Sequence, residues 1–139
     1  MNRVILKEGR QEPTLRRHPW IFSGAVDRVE GNPQPGEIVE VCDSLGNFLA
    51  YGYFNKRSQI QVRLLEWDKD KRIDKEWWRE KIKGAVEYRK EVLENPRSAG
   101  RLINAEGDFL PGLIVDKYSE YLVLQSLTAG IERVKELII

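Results

Sequence analysis

The 139 residues carry 23 basic and 22 acidic side chains and are 41% hydrophobic, enough for one ordinary domain or two small ones, with no global field to draw the chain onto a polyanion. A lone cysteine, Cys42, excludes an internal disulfide, and with His18 as the single histidine no zinc-ligand set can be assembled. The start MNRVILKEGR is too polar for a signal peptide, and no apolar run approaches the roughly 18 residues of a membrane span, so a cytoplasmic location is expected.

In chain order, RVILKE (3–8) has strand character and closes at Gly9. In PTLRRHP, Pro13 suits the first turn of a short helix and Pro19 forbids its continuation. WIFSGAVDRVEG is predicted as one strand with a bulge at Gly24, because its apolar side chains at Ile21, Ala25 and Val29 are interrupted in phase. NPQPG (32–36) is a turn by composition. EIVEVCD and FLAYGYF form two strands around the loop SLGN, and IQVRLLEW alternates as a further strand. Four or five short strands with one stub of helix in about sixty residues describe a small β-barrel-like domain.

The charged run WDKDKRID (67–74) lacks apolar periodicity and marks a boundary, giving domains 1–70 and 71–139. Beyond it the period becomes helical: Asp74 is placed to cap a helix over about 74–94, with Trp78, Ile82, Ala85, Val92 and Leu93 as its buried stripe and an end before Asn95-Pro96. Trp77 and Trp78 are assigned to that helix, not to a ligand. LIVDKY and YLVLQSL form a hairpin over about 113–127. Ser119-Glu120 suits a tight primed turn poorly, so a looser loop is expected between them. GIERVKELII begins a further helix with no stop signal, as in an N-terminal piece of something longer. The fold class is therefore mainly β with an α+β second part.

Two basic clusters stand out. Arg16, Arg17 and His18 fan from the helix stub, and Lys56, Arg57 and Ser58 occupy the loop FNKRSQ; Arg10 is a further phosphate candidate. Four cations could neutralise about four phosphates. The alternative for each is plain solvation. Trp20 and Phe22 could stack on an unpaired base, but they share one strand parity and are read as core anchors, with His18 as a packed or capping imidazole.

RRHPWIFSGAV, with GEIVEVCDSLGNFLAYGYFNKRSQIQVRLL after it, resembles the PUA domain that opens the 23S ribosomal RNA cytosine-C5 methyltransferases. RLINAEGDFLPGLIVDKYSEYLVLQSLTAG resembles the domain that links PUA to the catalytic part of those enzymes. The resemblance implies a PUA-like barrel followed by a partial strand-helix-strand linking domain. It implies ribosomal RNA as partner, an RNA groove between the first helix and a neighbouring strand-loop edge, and S-adenosylmethionine as cofactor of the full-length parent. No cofactor, catalytic or metal-binding residue is assigned to this chain. A glycine-rich strand-turn-helix for the methyl donor is missing from it, and Cys42, mid-strand beside Asp43 with nothing to activate it, is read as structural. The piece alone is expected to be inactive. The rival expectations are a protein-interaction or self-association module working through the incomplete second domain, whose open edges invite pairing, and a stand-alone PUA RNA-binding protein.

Overall fold

A computed structural model describes residues 1–89 and 99–138. The chain divides into two compact units, Met1–Arg72 and Ile73–Ile139.

The first unit is mainly β: a curled half-barrel sheet with a single helical turn. Its strands are β1 (Arg3–Leu6), β2 (Trp20–Phe22), β3 (Val26–Glu30), β4 (Ile38–Cys42), β5 (Phe48–Phe54) and β6 (Ile60–Glu66), in spatial order β2-β6-β5-β4-β1-β3. All neighbours are antiparallel except β1 and β4. Alternation explains the interior: Val4 and Leu6, Val39 and Val41, and Val62 and Leu64 each lie two residues apart and share one face. With Ile21, Ala50 and Phe54 they form the core. The β4–β5 turn is held by Asp43, whose Oδ1 accepts from the main-chain N–H of Leu45 (3.0 Å) and Asn47 (2.9 Å) while Gly46 takes the left-handed conformation.

WIFSGAVDRVEG is not one bulged strand. It is β2 and β3 separated by a 3-10 turn, Ser23–Ala25, that carries the chain from one edge of the sheet to the other. The interruption that suggested a bulge is the switch between edges.

In the second unit, α2 (Lys75–Tyr88) starts at Asp74, whose Oδ1 accepts from the Trp77 N–H at 2.9 Å. Trp77, Trp78 and Ala85 are its buried residues, the two indoles meeting edge to face at 5.0 Å. The predicted extension through Val92 and Leu93 to Asn95-Pro96 lies outside the described residues. An antiparallel sheet follows, β7 (Ala99–Asn104), β8 (Leu113–Tyr118) and β9 (Tyr121–Ser126), in that spatial order, and then α3 (Ala129–Ile138). Between β7 and β8, a 3-10 turn over Ala105–Asp108 gives way to Phe109 in the left-handed region. Gly112 packs on Thr128, where a Cβ would collide with the side chain. The loose β8–β9 loop expected from sequence is instead a two-residue turn: Tyr118 pairs with Tyr121, and Ser119 accepts φ 56. Six consecutive register pairs outweigh the cost of one unfavourable turn residue.

Candidate nucleic-acid interface

The site begins with α1, the single turn Glu12–Leu15, with Pro13 at its start. The N–H groups of Arg16, Arg17 and His18 bond back to Glu12, Thr14 and Pro13, and Arg17 adopts φ 63, which ends the turn and points the chain into β2. Thr14 lies fully buried beneath this turn, and its hydroxyl has no hydrogen-bond partner among the described residues. The turn is fixed from below by Trp67, whose Nε1 donates to the Thr14 carbonyl at 2.8 Å.

Arg16 is exposed, 3.8 Å from Glu12; so solvated a pair does not hold the guanidinium against a phosphate. Arg17 lies over the Trp67 ring, 5.3 Å from its centroid. His18 accepts the Trp20 N–H at Nδ1 (3.2 Å), so the neutral ring carries its proton on the outward Nε2. The outer face of β2 continues as an aromatic ladder. His18 and Trp20 meet edge-on at 6.0 Å, and Trp20 and Phe22 at 6.1 Å. The assignment of Trp20 and Phe22 to the core is overturned: Ile21 is the inward residue of β2, and Phe22 is 49% exposed. The shared parity was read correctly, but it faces solvent, because β2 is an edge strand whose only inward position is Ile21.

Arg10, Thr14, His18, Trp20 and Phe22 line a hollow of about 190 Å³ beside the ladder. Across the strand pair, Trp20 stands opposite Arg63, whose guanidinium carbon is 5.7 Å from the indole centroid. Arg63 reaches this position because Gly52 lets β6 come close: a Cβ there would lie 2.5 Å from the Arg63 carbonyl oxygen.

Lys56, Arg57 and Ser58 sit beyond the other end of the same ladder, where Phe22 pairs with Ile60 and the Ser23 N–H donates to the Gln59 carbonyl at 2.8 Å. Their loop is pre-shaped: Asn55 Oδ1 accepts from the Arg57 N–H and Ser58 Oγ from the Ile60 N–H, both at 3.1 Å. Lys56 lines a separate hollow with Gly31, Asn32 and Pro33. The two basic clusters therefore do not merge. They flank β2, whose three residues span roughly 7 Å from Trp20 to Phe22, with the exposed aromatics between them.

Sequence reasoning missed Arg63 and Trp67. Arg63 was legible as the outward residue of an alternating strand, but its partner Trp20 depended on register. Trp67 was assigned to the charged boundary and instead packs against the core of the first unit and holds the α1 turn.

Cys42 does not take part in this surface. It is buried at the end of β4, and burial pushes its thiol pKa up. Among the described residues, no strand-to-helix connection holds a glycine-rich turn.

Residues 4–67 match the family described as PUA-like domain, and the fold of the first unit is PUA-like. Over 131 residues the chain is 44% identical to ribosomal RNA large subunit methyltransferase I of Erwinia tasmaniensis, covering 94% of this chain and 33% of the relative. It is 42% identical to the Aliivibrio fischeri protein of that name over 137 residues, covering 98% and 35%. The chain thus spans about a third of the length of the curated relatives it matches. A solved Streptococcus mutans chain assigned as a SAM-dependent methyltransferase superposes with a TM-score of 0.82 at 16% identity, covering 99% of this chain and 36% of its own. At that identity the superposition speaks for the fold. None of the described helices is long and apolar enough to cross a membrane.

Proposed function

We propose that this chain is the RNA-binding N-terminal portion of a SAM-dependent ribosomal RNA cytosine-C5 methyltransferase of the cytoplasm, positioning ribosomal RNA for a catalytic domain that the 139 residues do not include. The observation that carries this reading is the aromatic ladder His18–Trp20–Phe22 on an edge strand, with cations at both ends. Arg10, Arg16, Arg17, Lys56 and Arg57 contact phosphates and Ser58 adds a neutral hydrogen bond, while His18 and the aromatic rings receive unpaired bases. S-adenosylmethionine belongs to the parent's missing domain, and the chain alone transfers no methyl group.

The test is retention of a structured ribosomal RNA hairpin by the purified chain in a gel-shift titration. Changing Arg16, Arg17, Lys56 and Arg57 together to alanine should abolish the shift at physiological salt. Unaltered retention, or methyl transfer from labelled cofactor by the wild-type chain, contradicts the reading.

A second reading rests on β9. It is an edge strand carrying Tyr121 and Leu122, 68% and 64% exposed, which favours self-association through the second unit. Sedimentation separates the two: dimerisation indifferent to RNA supports this reading, and a salt-sensitive shift on adding the hairpin supports the first.

A further inference from the structure

The second unit contains a cleft of about 590 Å³ between the last turns of α2 and the 3-10 turn after β7. Two aromatic side chains line it without being buried: Tyr88 is 84% exposed and Phe109 is 39% exposed. Phe109 holds the left-handed conformation (φ 55, ψ 34) at the end of its turn, a position that glycine or asparagine fills at less cost. The next residue, Leu110, supplies the fully buried side chain of this turn. The backbone strain displays a phenyl ring at a cleft wall.

The remaining surfaces suit a flat ring. Gly84 and Ala85 line the cleft from α2, and a Cβ at Gly84 would meet nothing within 4 Å. Arg89 is fixed in place. Its Nη1 donates to the Leu102 carbonyl at 3.0 Å and pairs with the Asp108 carboxylate at 2.9 Å, while the guanidinium carbon lies 5.5 Å from the Tyr88 ring centroid. The amide of Asn104 sits 3.2 Å from where a Cβ on Gly107 would be, so the missing side chain at 107 gives that amide its seat in the wall. Lys81 and Arg89 are balanced by Glu80 and Asp108. The cleft therefore lacks the excess positive charge of a phosphate site and suits a neutral planar ligand with hydrogen-bonding edges.

We propose that this cleft is a stacking slot for one unpaired nucleobase, a second RNA contact that is separate from the PUA-like unit. Exposed aromatics beside a guanidinium plane are the means by which proteins take splayed single-stranded bases, and an asparagine amide can read the base edge. The inference rests on the RNA-binding reading of the chain.

Its test uses the full chain and two probes. Millimolar adenosine should shift the amide resonances of Gly84, Gly107 and Phe109. The shifts should vanish in Gly84→Leu, which fills the cleft at a helical position where a side chain has room. An absence of shifts in the wild-type chain overturns the slot. With an unstructured RNA oligonucleotide containing 2-aminopurine, binding should quench the probe, and Tyr88→Ala with Phe109→Ala should weaken affinity about fivefold or more. A change under about twofold overturns the proposal. The Arg16, Arg17, Lys56 and Arg57 variant should lose most RNA affinity and keep the adenosine shifts. Adenosine shifts in a wild-type chain that retains no RNA uphold the slot and count against the RNA reading of the first unit.

Discussion

Asp43 and Cys42 are neighbours in sequence with opposite chemistry. The Asp43 carboxylate accepts main-chain hydrogen bonds, above all from Asn47, and these hold its pKa below the ordinary carboxylate range. Because the folded value is depressed, the stabilisation is complete above the unfolded pKa of about 3.9 and is lost as pH falls through the folded value. Asp43→Ala should therefore lower the urea midpoint at pH 7, and the gap from wild type should close as the medium is acidified through that range. Cys42 has its thiol pKa raised by burial, so at neutral pH it remains protonated and shielded. Ellman's reagent should label it rapidly in urea and hardly at all in buffer. Rapid labelling of the folded chain would show that β4 frays. Both roles could be seen in the string VCDSLGN, since a strand cysteine followed by an Asx turn is a local pattern. The burial of Thr14 beneath its own helical turn was not, because it depends on Trp67, 53 residues away.

At the scale of elements, α2 tests how far local signals add. Its cap was legible: Asp74 does accept the Trp77 N–H, and Asp74→Ala should cost about 1 kcal/mol. Gly84 lies in the helix interior with open space at its Cβ position, and Gly84→Ala should return about 1 kcal/mol. The sites are ten residues apart and share no partner, so the double variant should unfold close to the wild-type midpoint by circular dichroism in urea. The strands show where local reading ends. β4, β5 and β6 follow from alternation and turn residues alone, whereas β2 and β3 were merged, because their division reflects which sheet edge each one joins. The Ser119-Glu120 turn misled for a related reason: turn preference is a small local term, and the β8–β9 ladder decided the outcome.

For the molecule as a whole, a formal charge of +1 gives no long-range attraction to RNA, so affinity must come from placement. The aromatic surface of β2 lies between two basic clusters, which makes the electrostatic contribution countable. If Arg10, Arg16, Arg17, Lys56 and Arg57 each meet a phosphate, the slope of log affinity against log salt should be about −4, at roughly −0.7 to −0.9 per contact, and should fall to about one contact's worth in the four-alanine variant, which keeps Arg10. Trp20→Ala should instead weaken binding by about 1 to 3 kcal/mol while leaving the slope unchanged. The basic clusters were legible as composition. That they stand at opposite ends of one strand pair, with rings between them, was set by register and could not be read from the string.

The indole of Trp67 has a practical corollary for anyone trimming the polypeptide. A fragment stopping at Leu65 would retain nearly all of every strand yet release the turn that presents Arg16 and Arg17, and Arg17 would lose the ring beneath it. Such a fragment should keep its sheet signal in the far ultraviolet and bind RNA poorly, while one extended to Arg72 binds normally. The shortest autonomous binder is thus defined by a single side chain just past the last strand.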